Sequence, residues 1–350
     1  MGSTECDTLE ADWEEFHANP PECLHHYTTA LGLLGMLEKG RLWATNARFM
    51  NDPTEGRYAQ GLVREVLKEE AATYEQSIAK ISEGQNWFER LLQKFSYRGP
   101  EIKSWIANTL QVLDRRNVFV CCFCPDGDLL SQWRGYGATG AGYAVGFETV
   151  KLKSVRQSPY TQIRKIIYDE ATQRRILKKK IKQVLEVDLT WRKAKRDAMQ
   201  AYFEVQRANP FSGVKEKAER LRTQIEESLR PVNQEMDALE RFLAECLICF
   251  KHPGYAEENE WRLFQFVEGA KLDEVQPSIL RFRDRRGLLV PYIEFDMTLE
   301  GEQVGKMPLR RLYYGPTLEW ESTNKAIKML LVARGYGEID VRRSRVPFIG

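Results

Sequence analysis

The chain has 350 residues, of which 43% are apolar and 29% charged, an ordinary balance for a globular protein, and no apolar run is long enough to cross a bilayer. Seven cysteines in so long a chain exclude a disulfide scaffold. The start of the chain lacks a basic region followed by an apolar core, so no secretory signal and a cytoplasmic location are expected. The net charge of +2 conceals a polarised distribution: acidic residues crowd the first 22 positions, and Lys and Arg crowd 174–196.

Residues 1–21 read as a polar lead-in closed by Pro20-Pro21. Cys23 to Tyr27 reads as a short strand. Thr28 or Thr29 caps a helix over 30–39, with Leu31, Leu34 and Leu37 on one face and Gly40 ending it. A second strand is expected at 42–45 and a turn at Asn51-Asp52-Pro53. Helical periodicity then runs over 55–114, interrupted near Gly84 and at Gly99-Pro100. The apolar run Val118–Phe123 predicts a buried strand, in which Cys121, Cys122 and nearby Cys124 act as small apolar residues. Asp126-Gly127-Asp128 turns the chain into a short helix at 129–135, and Gly137, Gly140 and Gly142 loosen the link to a strand at 143–147.

A strand is expected at 163–169, then a helical insertion at 170–246, broken at Asn209-Pro210 and Pro231, with Leu177, Ile181, Val184 and Leu185 on one face. Trp261 to Val267 alternates as a strand does, with Glu260 at its mouth. Short strands at 290–296, 310–314 and 338–343 and a helix at 322–334 complete the chain. Strands and helices do not alternate strictly, so the expected class is α+β, a single domain over 1–350 carrying helical insertions at 55–116 and 170–246.

Cys246, Cys249 and His252 have a metal-like spacing, but no fourth ligand is evident and no metal is expected. Three other segments carry chemistry: His26-Tyr27-Thr28, Ser131-Gln132-Trp133-Arg134-Gly135-Tyr136, and Asn259-Glu260-Trp261. Each has an ordinary reading. His26 caps a helix or satisfies a strand-end carbonyl, Tyr136 is core, and Glu260 pairs with Arg262 or Arg134 while Glu257 or Glu258 is the working carboxylate. His25 should face the other side of its strand from His26.

Residues 23–347 resemble a bacterial family of unknown function, through His26-Tyr27-Thr28, Asn51-Asp52-Pro53-x-Glu55, Ser131-x-Trp133-x-x-Tyr136 and Glu260-Trp261-Arg262. The order His, Tyr, Glu also resembles the triad of the ADP-ribosyltransferases of the diphtheria toxin and poly-ADP-ribose polymerase branch. The chain departs from that pattern at Tyr27, where a Gly lets backbone approach the nicotinamide amide. The resemblance implies a split β-sheet core, NAD as substrate, and Glu260, His26 and Tyr136 as catalytic residues. It implies a cofactor site from His26, Tyr27, Thr28, Ser131, Trp133, Arg134 and Tyr136, with Arg134 a candidate for the pyrophosphate. The implied activity is ADP-ribosyl transfer to a macromolecule, and a toxin-like or antiviral defence effector is the role expected of such a domain. The basic residues 174–196 read most simply as a solvated helix face, and alternatively as a footprint for nucleic acid as acceptor or partner. The alternatives are an NAD glycohydrolase and an inactive nucleotide- or nucleic-acid-binding module.

Overall fold

The computed structural model describes residues 13–50, 55–82, 109, 111, 117–153, 161–208, 220, 223, 227–228, 230–267, 278–285, 287–298 and 306–348. The expected turn at Asn51-Asp52-Pro53 and the expected breaks at Gly84, Gly99-Pro100 and Asn209-Pro210 lie outside these residues. The fold is α+β. Two compact units share the chain, one helical, from the described parts of Arg57–Asp114 and Glu170–Leu247, the other carrying the strands.

The second unit contains β1 (Cys23–Thr28), β2 (Arg41–Asn46), β3 (Asn117–Phe123), β4 (Tyr143–Glu148) and β5 (Thr161–Lys165). β6 (Trp261–Val267), β7 (Arg281–Arg285), β8 (Leu288–Asp296), β9 (Leu309–Tyr314) and β10 (Asp340–Arg343) follow. They form a four-stranded sheet, β1-β4-β9-β10, and a six-stranded sheet, β5-β6-β3-β2-β8-β7. Inward residues of both sheets, among them Leu24, Phe147 and Leu312 on one and Phe119, Phe123 and Leu263 on the other, share one core.

β3 is the place where the two sheets meet. Its first half pairs with β2, through Phe119–Asn46 and Val120–Thr45. Beyond its end, Cys124 exchanges both backbone hydrogen bonds with His25 of β1, at 2.8 Å each. Along one edge of β3, therefore, β2 gives way to β1, and the backbone groups between them need other partners.

Helix 30–39 is capped by Thr29, whose side chain accepts from Gly32 N, and ends at Gly40 in the left-handed region, φ 65°. The buried face is Leu33, Met36 and Leu37, whereas Leu31 and Leu34 are exposed, which corrects the expected stripe. The helix is apolar nearly all round, so spacing alone does not choose its inward face. The strand expected at 163–169 is β5 at Thr161–Lys165, followed by a single bridge from Ile167 to Phe250. Pro231 stands in the first turn of Arg230–Cys249, where a missing N–H costs nothing.

In the helical unit, Leu177, Ile181, Val184 and Leu185 are all buried, as the 3.6-residue period of helix Glu170–Ala208 requires. A buried polar cluster ties this helix to Glu55–Ser82: Tyr74 donates to Asp188, which Arg192 also holds at 2.5 Å. Part of the basic run is internally neutralised, Arg174 by Glu65 and Glu170, Lys178 by Glu69, and Lys180 is buried. Among the described residues, no helix is long and apolar enough to cross a membrane.

Candidate functional site

His26, Tyr136 and Glu260 line one open cleft of about 350 Å³, mouth included, with Cys122, Gln132 and Glu258 among its other walls. Its position follows from the parting of β1 and β2 along β3. Where β2 stops pairing, the Cys122 carbonyl is satisfied by His26, whose Nδ1–H donates to it at 2.9 Å. That bond fixes the tautomer and leaves Nε2 as an acceptor. Burial, and next the charge of Arg283, lower the pKa of His26, so the ring is neutral near pH 7. His25 lies on the opposite side of the strand, edge-on to Tyr313 at 5.7 Å, with Nδ1 on the Pro125 carbonyl.

Glu260 precedes β6 and is buried. Arg262 grips it bidentately, Nε to Oε1 at 3.0 Å and Nη2 to Oε2 at 2.9 Å, and Lys251 Nζ lies 3.4 Å from Oε2. The neighbouring Cys122 thiol lowers the pKa of the same carboxylate by a smaller amount. Burial pushes the carboxyl up, but Arg262 and then Lys251 outweigh it and hold the pKa at about 2. Lys251 in turn binds Glu258 at 2.5 Å and lies over the Tyr255 ring. Two carboxylates and two cations thus alternate in a network with no net formal charge. The expected salt bridge from Glu260 to Arg262 is present, and Arg134 has no part in it. Arg134 is exposed and stands 6.0 Å from the centre of the Phe348 ring.

The aromatic candidates separate. Tyr136 ends the short helix Leu130–Gly135, is 39% exposed, and has its hydroxyl pKa raised by burial, so it presents a neutral O–H and part of its ring to the cleft. Trp133 is fully buried, edge-on to Tyr27 at 4.9 Å, with its indole N–H on Asp128 at 2.8 Å. It offers no face for stacking, which corrects its expected role. Tyr27 contributes to the cleft wall, but its hydroxyl is used structurally, donating to the Asp126 carbonyl and accepting from Leu129 N–H. Thr28 ends β1 opposite Tyr143, and the Ser131 hydroxyl is buried with no partner among the described residues. Gly142 is a tight contact rather than slack: a Cβ there would stand 2.6 Å from the Thr28 carbonyl oxygen.

A cysteine nucleophile does not fit this chemistry. Cys121 Sγ is 3.6 Å from His26 Nδ1, yet burial raises its pKa to about 12, and burial raises Cys122 well above the usual range. Cys246 and Cys249 are fully buried, while the ring of exposed His252 accepts from Gly254 N–H at 3.1 Å. Sequence reasoning missed Lys251 and Gln132 as neighbours of the site, since neither lies in a periodic pattern. It took Cys122 for filler, although alternation along β3 puts it on the face opposite Cys121.

A family model described as a protein of unknown function (DUF2971) matches residues 132–263, a stretch that includes Gln132, Tyr136, Glu258 and Glu260 of the cleft but not His26. No curated protein and no solved structure matches the chain.

Proposed function

We propose that this protein is an NAD-dependent ADP-ribosyltransferase whose reacting ribose binds in the His26–Tyr136–Glu260 cleft. The observation that carries this reading is the convergence in one cleft of a neutral histidine, a tyrosine and an ionised carboxylate from three segments, each more than a hundred residues from the next. In the reaction, the bond from ribose C1′ to the nicotinamide nitrogen breaks and its electron pair leaves with neutral nicotinamide. The acceptor nucleophile forms the new bond to C1′ and gives up its proton to solvent or to a base. Positive charge develops on the ribose, and a fixed carboxylate is worth more there than in the ground state. Glu260 is ionised at any pH above about 3, given its pKa of about 2. Its oxygens already receive Arg262 twice and Lys251 once, which leaves one acceptor position for a ribose hydroxyl. His26 Nε2 accepts from a second hydroxyl and the Tyr136 ring holds the nicotinamide.

The same ion pairs favour a second reading, a nucleotide-binding module without turnover, because Arg262 and Lys251 cancel charge that catalysis would use. Incubating the purified protein with NAD labelled in the adenosine half and cell lysate separates these. Nicotinamide release with label on a macromolecule supports transfer, and release with free ADP-ribose makes water the acceptor. Glu260→Gln, compared at equal folded fraction, should lose roughly a hundredfold in rate. Binding of NAD without any release supports the module and refutes the enzyme.

A further inference from the structure

The face of the larger sheet next to the cleft carries a guanidinium that no carboxylate pairs with among the described residues. Arg283 extends from the outer strand β7 across β8 to Thr45 on β2, donating to its hydroxyl at 2.7 Å. Its guanidinium carbon lies 5.8 Å from the centre of the Trp43 ring, and Trp43 packs against Tyr292 at 4.8 Å, the planes tilted by 35°. The register places Trp43, Thr45, Tyr292, Arg281 and Arg283 on one face. Arg283 is half-buried, yet among the described residues no carboxylate pairs with it. Other arginines withdrawn from solvent do face one: Arg164 faces Glu14, Arg192 faces Asp188, Arg262 faces Glu260 and Arg311 faces Asp340. On this face Glu294 is taken by Arg41 at 2.9 Å and by Lys39 at 3.7 Å. Burial and the neighbouring Arg285 both work against the charge of Arg283, so the protein maintains it at a cost.

The position relative to the cleft follows from the strands. β2 and β3 pair at Thr45–Val120 and no further toward Trp43. Along β3, Cys122, which lines the cleft, lies two residues beyond Val120 and on the same face. Two residues of strand amount to about 7 Å, within the reach of one nucleotide. The charge of Arg283 is also felt at His26 and Cys121.

We infer that Arg283, with Thr45 and the Trp43–Tyr292 pair, forms a subsite for the phosphate of a nucleoside diphosphate whose ribose end points into the His26–Cys122 cleft. The stacked guanidinium keeps its outer N–H donors for bidentate contact with phosphate oxygens, which Lys could not reproduce. The subsite deepens the proposed function, resting on it for the identity of the nucleotide as the ADP half of NAD. The probe is ADP, which lacks nicotinamide and cannot be cleaved by the proposed reaction. Calorimetric titration should show binding that weakens between 50 and 200 mM salt, on the order of tenfold or more weaker in Arg283→Met and intermediate in Arg283→Lys. In the unmodified protein, ADP should slow phenylglyoxal attack at Arg283, read by peptide mass spectrometry, a test independent of how the variants fold. Absence of ADP binding, equal affinity in Arg283→Met, or no protection of Arg283 overturns the subsite. Retained ADP binding through Arg283 with no NAD cleavage leaves the subsite standing and removes only the enzymatic reading.

Discussion

Replacing Arg262 by Met, close in volume and uncharged, tests the ion-pair network at its strongest joint. Glu260 is 6% exposed and Arg262 2%, and the two are joined by bonds of 3.0 and 2.9 Å. A carboxyl held at about 2 instead of 4.5 reflects roughly 3 kcal/mol of preferential stabilisation of its ionised form. Loss of one partner from a buried pair costs about 3–5 kcal/mol, because the remaining charge is uncompensated. Lys251 softens this, but it also serves Glu258. Arg262→Met should therefore cost about 3 kcal/mol in urea unfolding at pH 7, whereas Glu260→Gln combined with Arg262→Met should cost less than the two single changes added together. The pH dependence carries the same information. A depressed folded pKa means that Glu260 contributes full stability above about 4.5, and that this contribution fades as pH falls toward about 2. In Arg262→Met the loss should begin at higher pH, since burial then pushes the carboxyl up. A cost under about 1 kcal/mol, or strict additivity in the double variant, would refute the claim that this pair organises the floor of the cleft.

The corrected face of helix 30–39 predicts that Leu33→Ala costs about 2–4 kcal/mol while Leu31→Ala changes stability by less than about 0.5, both read from denaturant midpoints. Equal costs would restore the other stripe. Burial depresses His25 and His26, and His17 to about 3, so each is stabilising in its neutral form: stability should be full above about 6.5 and decline below it. Thermal melts from pH 7.5 to 5 should show a shallower decline in His26→Gln than in the unmodified protein, and an identical slope would contradict a neutral His26.

Much of the fold was legible because local rules act on local sequence. The cap Thr29 and stop Gly40, the apolar run that became β3, the Leu177–Leu185 stripe and the alternation after Glu260 each need only a few consecutive residues. Legibility failed where two local solutions are equally good. Helix 30–39 has apolar side chains on every side, so its inward face was set by what packs on it. β7, rich in Arg and lying at a sheet edge, has no apolar alternation and became a strand only by pairing with β8.

The candidate site divides along the same line. By itself the sequence determined which groups were available, a His, a Tyr and a Glu at element ends, since residue type and position along an element are local properties. Tertiary structure alone decided that β1 replaces β2 beside β3, which turns His26 toward the Cys122 carbonyl and opens the cleft. It also buried Trp133, and it set Arg262 and Lys251 against Glu260 while stacking Arg283 on Trp43. Those outcomes depend on contacts between residues far apart in the chain, and on desolvation that no short window of sequence contains.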